Sequence, residues 1–123
     1  MPIIRAATAP RFTHPGLDVV GLAAPSRGSR ETCVWRIRLS PSTPGTLHSV
    51  DREEIFVVIA GRATATLGGT EHDLGPGDAL VVPPNEPFAL ATGDEQFEAV
   101  AVLPVGGKAA MPAGEPFTPP WAA

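Results

Sequence analysis

Turn-forming residues recur so often along this chain that no long helix has room to form. Fifteen prolines and thirteen glycines are spread over 123 residues. Proline lacks the amide hydrogen a helix interior needs, and glycine loses the most backbone freedom when held there. They gather as His14-Pro15-Gly16, Ser40-Pro41-Ser42-Thr43-Pro44-Gly45, Gly68-Gly69, Gly75-Pro76-Gly77-Asp78 and Pro83-Pro84-Asn85. No stretch between them carries a 3.6-residue apolar period.

The stretches between the turns read as strands. In Thr32–Leu39, Cys33, Trp35, Ile37 and Leu39 fall on one face, and Val34, Arg36 and Arg38 on the other. That is the period of two expected of a pleated strand. If the first set faces the core, the two arginines face solvent or a subunit interface. Thr46–Val50 is a short strand candidate, and Glu54–Ile59 is a β-rich run. Arg62–Leu67 alternates small apolar and polar residues, and Thr70–Leu74 returns after Gly68-Gly69, a two-residue hairpin signal. Ala79–Val82, Phe88–Thr92 and Gln96–Leu103 complete the series. About eight short strands at intervals of roughly 8–12 residues predict an all-β sandwich, jelly roll or closed barrel.

Three units follow from this punctuation: an N-terminal arm and edge strand over 1–30, a barrel core over 31–104, and a Pro-rich C-terminal arm over 105–123. The last contains Phe117 and Trp121, large apolar side chains that a disordered tail has little use for. It is expected to pack as an extended arm, on its own barrel or on a partner.

Composition excludes several classes of function. Hydrophobic residues make up 43% and charged residues 18%, enough for one globular core. The longest apolar run, Ile55–Ala60, is far too short to span a membrane. The formal charge is −4 and the arginines are scattered, so the clustered positive footprint of a nucleic-acid-binding protein is missing. Cys33 is the sole cysteine, which rules out an intrachain disulfide or a thiolate metal cluster and suits a small buried residue. The residues after Met1 have no apolar h-region of a secretory signal, and the expected compartment is the cytoplasm.

Two segments carry the chemistry. One is Pro44-Gly45-Thr46-Leu47-His48-Ser49-Val50-Asp51-Arg52-Glu53-Glu54, continuing to Gly61; the other runs from Gly75-Pro76-Gly77-Asp78 through Pro83-Pro84-Asn85 to Phe88 and Thr92. Together they resemble the paired signature motifs of the cupin superfamily, of the small single-domain kind. The first motif is matched at His48, Glu54 and Gly61, the second at Gly77 and Pro83. The resemblance implies a double-stranded β-helix, or jelly-roll, barrel. It also implies a homodimer, often formed by strands exchanged at a sheet edge.

The departures bear on chemistry. In metal-binding cupins three histidines and a glutamate converge on one divalent metal. Here the second histidine position holds Val50, the third holds Phe88, the second motif's glycine is Asn85 and its final Asn is Thr92. Only His48 and Glu54 carry over as ligands, fewer than the three protein ligands usual in a catalytic metal site. His72 lies between Glu71 and Asp73, as a solvated surface residue would. His14 could supplement a site only if the N-terminal arm folds over the barrel mouth.

Three functions are compatible with these residues. In the first, no cofactor is needed. A small, largely apolar molecule binds in a barrel walled by Val50, Phe56, Val58 and Phe88, and His48, oriented by Glu54, acts as an acid/base of the isomerase, epimerase or cyclase kind. In the second, His48 and Glu54, with water or an arm residue, hold one divalent metal such as Fe, Mn, Ni or Zn for dioxygenase or isomerase chemistry. In the third, the pair is inert and the chain is a sensing or dimerisation module. None of the three involves nucleic acid or a membrane.

Overall fold

The computed structural model describes residues 2–123, so Met1, the first residue of the expected N-terminal arm, lies outside the described residues. The strands are β1 (Arg11–His14), β2 (Leu17–Ala23), β3 (Thr32–Leu39), β4 (Ser49–Val50), β5 (Glu54–Ala60), β6 (Ala63–Leu67), β7 (Thr70–Leu74), β8 (Ala79–Val82), β9 (Phe88–Ala91), β10 (Phe97–Pro104) and β11 (Ala109–Ala110). Helical structure among the described residues is confined to two short 3-10 turns, Pro25–Arg27 and Pro120–Ala122.

The larger sheet has the order β1-β2-β3-β10-β5-β8, with antiparallel neighbours throughout. A three-stranded sheet, β7-β6-β9, forms much of the opposing layer. Reciprocal backbone hydrogen bonds between His48 and Phe88, of 3.0 and 2.8 Å, attach the β4–β11 ladder to the edge of β9. Chain-adjacent strands that switch from one sheet to the other, as β5 and β6 do, make this a jelly-roll, double-stranded β-helix barrel.

Alternation along each strand fills the barrel. Burial in β3 and β10 alternates strictly, which places Cys33, Trp35, Ile37 and Leu39 beside Phe97, Ala99, Ala101 and Leu103. Phe88 and Phe97 are fully buried, and each such aromatic contributes about 2–3 kcal/mol through area removed from water.

Turns in this barrel depend on particular backbone geometries. The β5–β6 crossover passes through Gly61 at φ 74°, where a Cβ would collide with the carbonyl oxygen of Gln96. Asn85, at the motif position expected to be glycine, has φ 64°, a left-handed conformation that asparagine tolerates better than most residues. Its amide donates to the carbonyl of Val50 at 2.7 Å. Thr92 replaces the motif's final Asn as a tether: its hydroxyl donates to the Ser40 carbonyl at 2.6 Å and accepts from the Thr43 amide at 2.9 Å.

Both ends of the chain pack on the barrel. β1 and β2 are hydrogen-bonded members of the larger sheet. The C-terminal segment packs on its own barrel. Trp121 sits edge-on to Phe12, with ring centroids 5.9 Å apart, and lies 6.3 Å from Trp35. The Arg27 guanidinium donates to the Trp121 carbonyl at 3.0 Å, and Ser26 donates to that of Ala123 at 2.7 Å. Phe117 bridges to Ala109, yet its ring stays exposed.

Candidate functional site

His48 stands where the two layers meet. Its backbone pairs with Phe88, and its imidazole lies against the Phe88 ring, with centroids 4.3 Å apart and planes tilted by 45°. Nδ1 lies 2.8 Å from the carbonyl oxygen of Thr46. A carbonyl can only accept, so Nδ1 carries the proton, and in the neutral ring the lone pair is on Nε2. The side chain is half-buried. One edge is therefore fixed by the backbone while the other is available for chemistry.

Glu54 opens β5 and points inward, opposite Val82 of β8. It is the one buried charged or polar residue of the core among the described residues, at 4% exposure. Burial pushes its carboxyl from 4.5 up to about 8, because a carboxylate loses its hydration there while the neutral acid loses less. At neutral pH it is mainly the protonated acid.

The expected dyad is not formed. No hydrogen bond or ion pair joins His48 to Glu54 among the described residues. The Thr46 carbonyl orients the imidazole, a role that sequence reasoning gave to Glu54. A backbone carbonyl has no residue-type signature, so nothing in the sequence marks it.

Val50, Phe56, Val58 and Phe88, expected to wall a ligand pocket, are all buried in the core, and the Phe56 and Phe88 rings lie 5.8 Å apart. Open volume lies elsewhere. A groove of about 360 Å³ runs beside Arg11, Arg36, Arg38 and Glu98 on the outside of the larger sheet, and one of about 440 Å³ lies beside Arg62, Asp73 and Asp94.

A resident metal of the kind held by three histidines and a glutamate does not fit these donors. Among the described residues, no three His, Cys, Asp or Glu side chains converge as a metal-holding group. Val50 and Phe88 present hydrocarbon where ligands would be needed. His72 is exposed on β7 opposite Ala65, and His14 sits edge-on to Trp121 with ring centroids 6.0 Å apart.

Residues 35–103, more than half of the chain, match the family described as Cupin domain. The chain belongs to the cupin family. Solved structures agree with this cupin's fold. The polyketide cyclase RemF from Streptomyces resistomycificus superposes with a TM-score of 0.74 at 21% identity, covering 98% of this chain and 88% of its own. KdgF from Halomonas sp. gives 0.72 at 18% identity, covering 83% of this chain and 93% of its own. The DMSP lyase DddQ from Ruegeria pomeroyi gives 0.65 at 26% identity, covering 71% of this chain and 47% of its own. No curated protein sequence matches the chain. No helix among the described residues is long and apolar enough to cross a membrane.

Proposed function

We propose that this cupin binds a small, largely apolar molecule at the barrel mouth and acts on it without a metal, by acid/base chemistry of the isomerase, epimerase or cyclase class. The observation that carries this reading is the fixed tautomer of His48. The Thr46 carbonyl accepts a hydrogen bond from the Nδ1–H, which leaves Nε2 as a proton acceptor on a half-buried ring. A base held in one tautomer and orientation needs no reorganisation when it removes a proton.

Glu54 supplies the complementary property, a carboxyl still protonated at neutral pH and set in an apolar wall. A carboxyl that keeps its proton and an imidazole with an open Nε2 lone pair suit opposite ends of a proton transfer. The surrounding Val50, Phe56, Val58 and Phe88 favour hydrocarbon or aromatic ligand surface over charge. The overall likeness to a polyketide cyclase favours the cyclase member of the class.

Because these apolar residues are buried in the core, this reading requires the barrel to open for a ligand to reach them. We also assign this cupin a homodimeric state and a cytoplasmic location.

The deciding experiment combines a panel of apolar and aromatic ligands with His48→Ala and a chelator. Binding or turnover that is lost in H48A and indifferent to chelator is the expected result. Activity abolished by chelator and restored by Fe(II), Mn(II), Ni(II) or Zn(II) would overturn the metal-free mechanism. Binding without turnover, unchanged in H48A, would make the chain a sensing module.

A further inference from the structure

The C-terminal turn reaches the barrel across an exposed connection. All of residues 111–118 are exposed, whereas Pro119 and Ala122 are buried and Trp121 is half-buried. The connection is tied down by the Ala109–Phe117 bridge and by a 3.5 Å bond from Lys108 to the Thr118 hydroxyl. Beyond Thr118 the turn is latched by two neighbouring side chains. Arg27 donates to the Trp121 carbonyl at 3.0 Å, and Ser26 donates to that of Ala123 through its hydroxyl at 2.7 Å and its amide at 3.3 Å. Arg27 is itself anchored on the Leu22 carbonyl at 2.6 Å, and its guanidinium lies over Gly21, where a Cβ would come within 2.7 Å of it. These bonds end on tail carbonyls, so the turn can lift without unpairing any strand.

The turn covers an aromatic slot and the sole thiol. The Trp121 ring lies 5.9, 6.0 and 6.3 Å from those of Phe12, His14 and Trp35. Its indole N–H is buried with no hydrogen-bond partner, a loss that water makes good once the turn lifts. The Ala122 carbonyl lies 3.5 Å from Sγ of Cys33, which has no exposure.

Beneath Trp121 the inner face leads toward the candidate base. Trp35, Ala101 and Phe56 share one row across β3, β10 and β5. Phe56 lies 5.8 Å from Phe88, and Phe88 4.3 Å from His48. Along β10 the inward side chains here are only alanines, Ala99 and Ala101, so the floor between the larger rings is low.

We propose that Pro119–Ala123 is a lid, and that a flat aromatic ligand enters the barrel by taking the place of the Trp121 indole against Phe12, His14 and Trp35. A slot bordered by rings suits another ring. A short turn held by a few contacts opens locally, well before the sheets unfold. The ligand class and its entry rest on the function proposed above; the opening of the lid does not.

The test is the rate at which N-ethylmaleimide modifies Cys33, followed by intact mass in urea well below the unfolding transition, for wild type, Arg27→Met and Ser26→Ala. A thiol exposed only by global unfolding is labelled at a rate that climbs with urea as steeply as unfolding itself; one exposed by local opening is nearly indifferent to urea. The expected result is a flat dependence in wild type and labelling at least about tenfold faster in Arg27→Met, which loses charged hydrogen bonds. Should that variant fail to fold by circular dichroism, Ser26→Ala decides, with an increase of about threefold. Free indole, competing for the slot, should raise the wild-type rate in proportion to its concentration by mass action. Labelling that tracks global unfolding, or that neither folded variant accelerates, would overturn the lid. A lid that opens while indole leaves the rate unchanged would overturn the entry slot alone. The chemistry at His48 is judged separately, by ligand binding and turnover in His48→Ala.

Discussion

At the scale of single residues, the protein places one polar group where it is costly and one where it is useful. Glu54 is buried with a folded pKa raised from 4.5 to about 8. The folded state therefore holds a proton that the unfolded chain releases between these values. The stability this group contributes is complete below about pH 4.5 and is lost as pH rises through about 8. Urea titrations at pH 5 and pH 9 should show wild type losing stability relative to Glu54→Gln by an amount on the order of a few kcal/mol. A difference that stays flat with pH would mean the carboxyl is hydrated. For His48, nitrogen-15 spectra of the neutral ring should show protonated Nδ1 and bare Nε2, as the Thr46 carbonyl requires. The reverse pattern would remove the basis for His48 as a base acting through Nε2.

Elements in this barrel are held at their turns. Gly61 links β5 to β6 at φ 74° with no room for a side chain against Gln96. Gly61→Ala should cost about 2 kcal/mol or more, from left-handed strain and collision together, or prevent folding. Asn85 tolerates the same region of backbone space at φ 64°. Asn85→Gly should be near neutral and Asn85→Val should destabilise by about 1–2 kcal/mol, read from denaturant midpoints. The strands themselves were legible from alternation. Leu67-Gly68-Gly69-Thr70 forms the hairpin that its glycines announce, with β6 and β7 paired from Ala63↔Leu74 to Leu67↔Thr70. Thr46–Val50 was less legible: only Ser49–Val50 is strand, with His48 in an isolated bridge, because its neighbours β9 and β11 reach only that far.

Across the whole molecule, the chain ends close what the sheets leave open. Trp121 covers Phe12 and Trp35 on the inner side of the larger sheet, and its buried indole N–H has no hydrogen-bond partner. Trp121→Ala should destabilise by about 2–4 kcal/mol through lost packing. Trp121→Phe should cost less than about 1.5 kcal/mol, since the unsatisfied donor leaves with the ring. A large penalty for the phenylalanine would mean the indole nitrogen is bonded in solution. Local sequence signals do not reach this contact, because Phe12 and Trp121 meet only after β1 has joined the sheet and the tail has crossed it.

The sequence by itself determined the strand pattern, the turns, the inward set on β3 and the departures at Val50 and Phe88, because each depends on a residue's own geometry or on its neighbours in the chain. It also named His48 and Glu54 as the surviving polar pair. Only the tertiary structure decided that the two are not joined, that a backbone carbonyl holds the imidazole, and that the apolar wall is closed. Those outcomes depend on how two sheets approach one another, and such distances are set by packing across the barrel and not by any local run of residues.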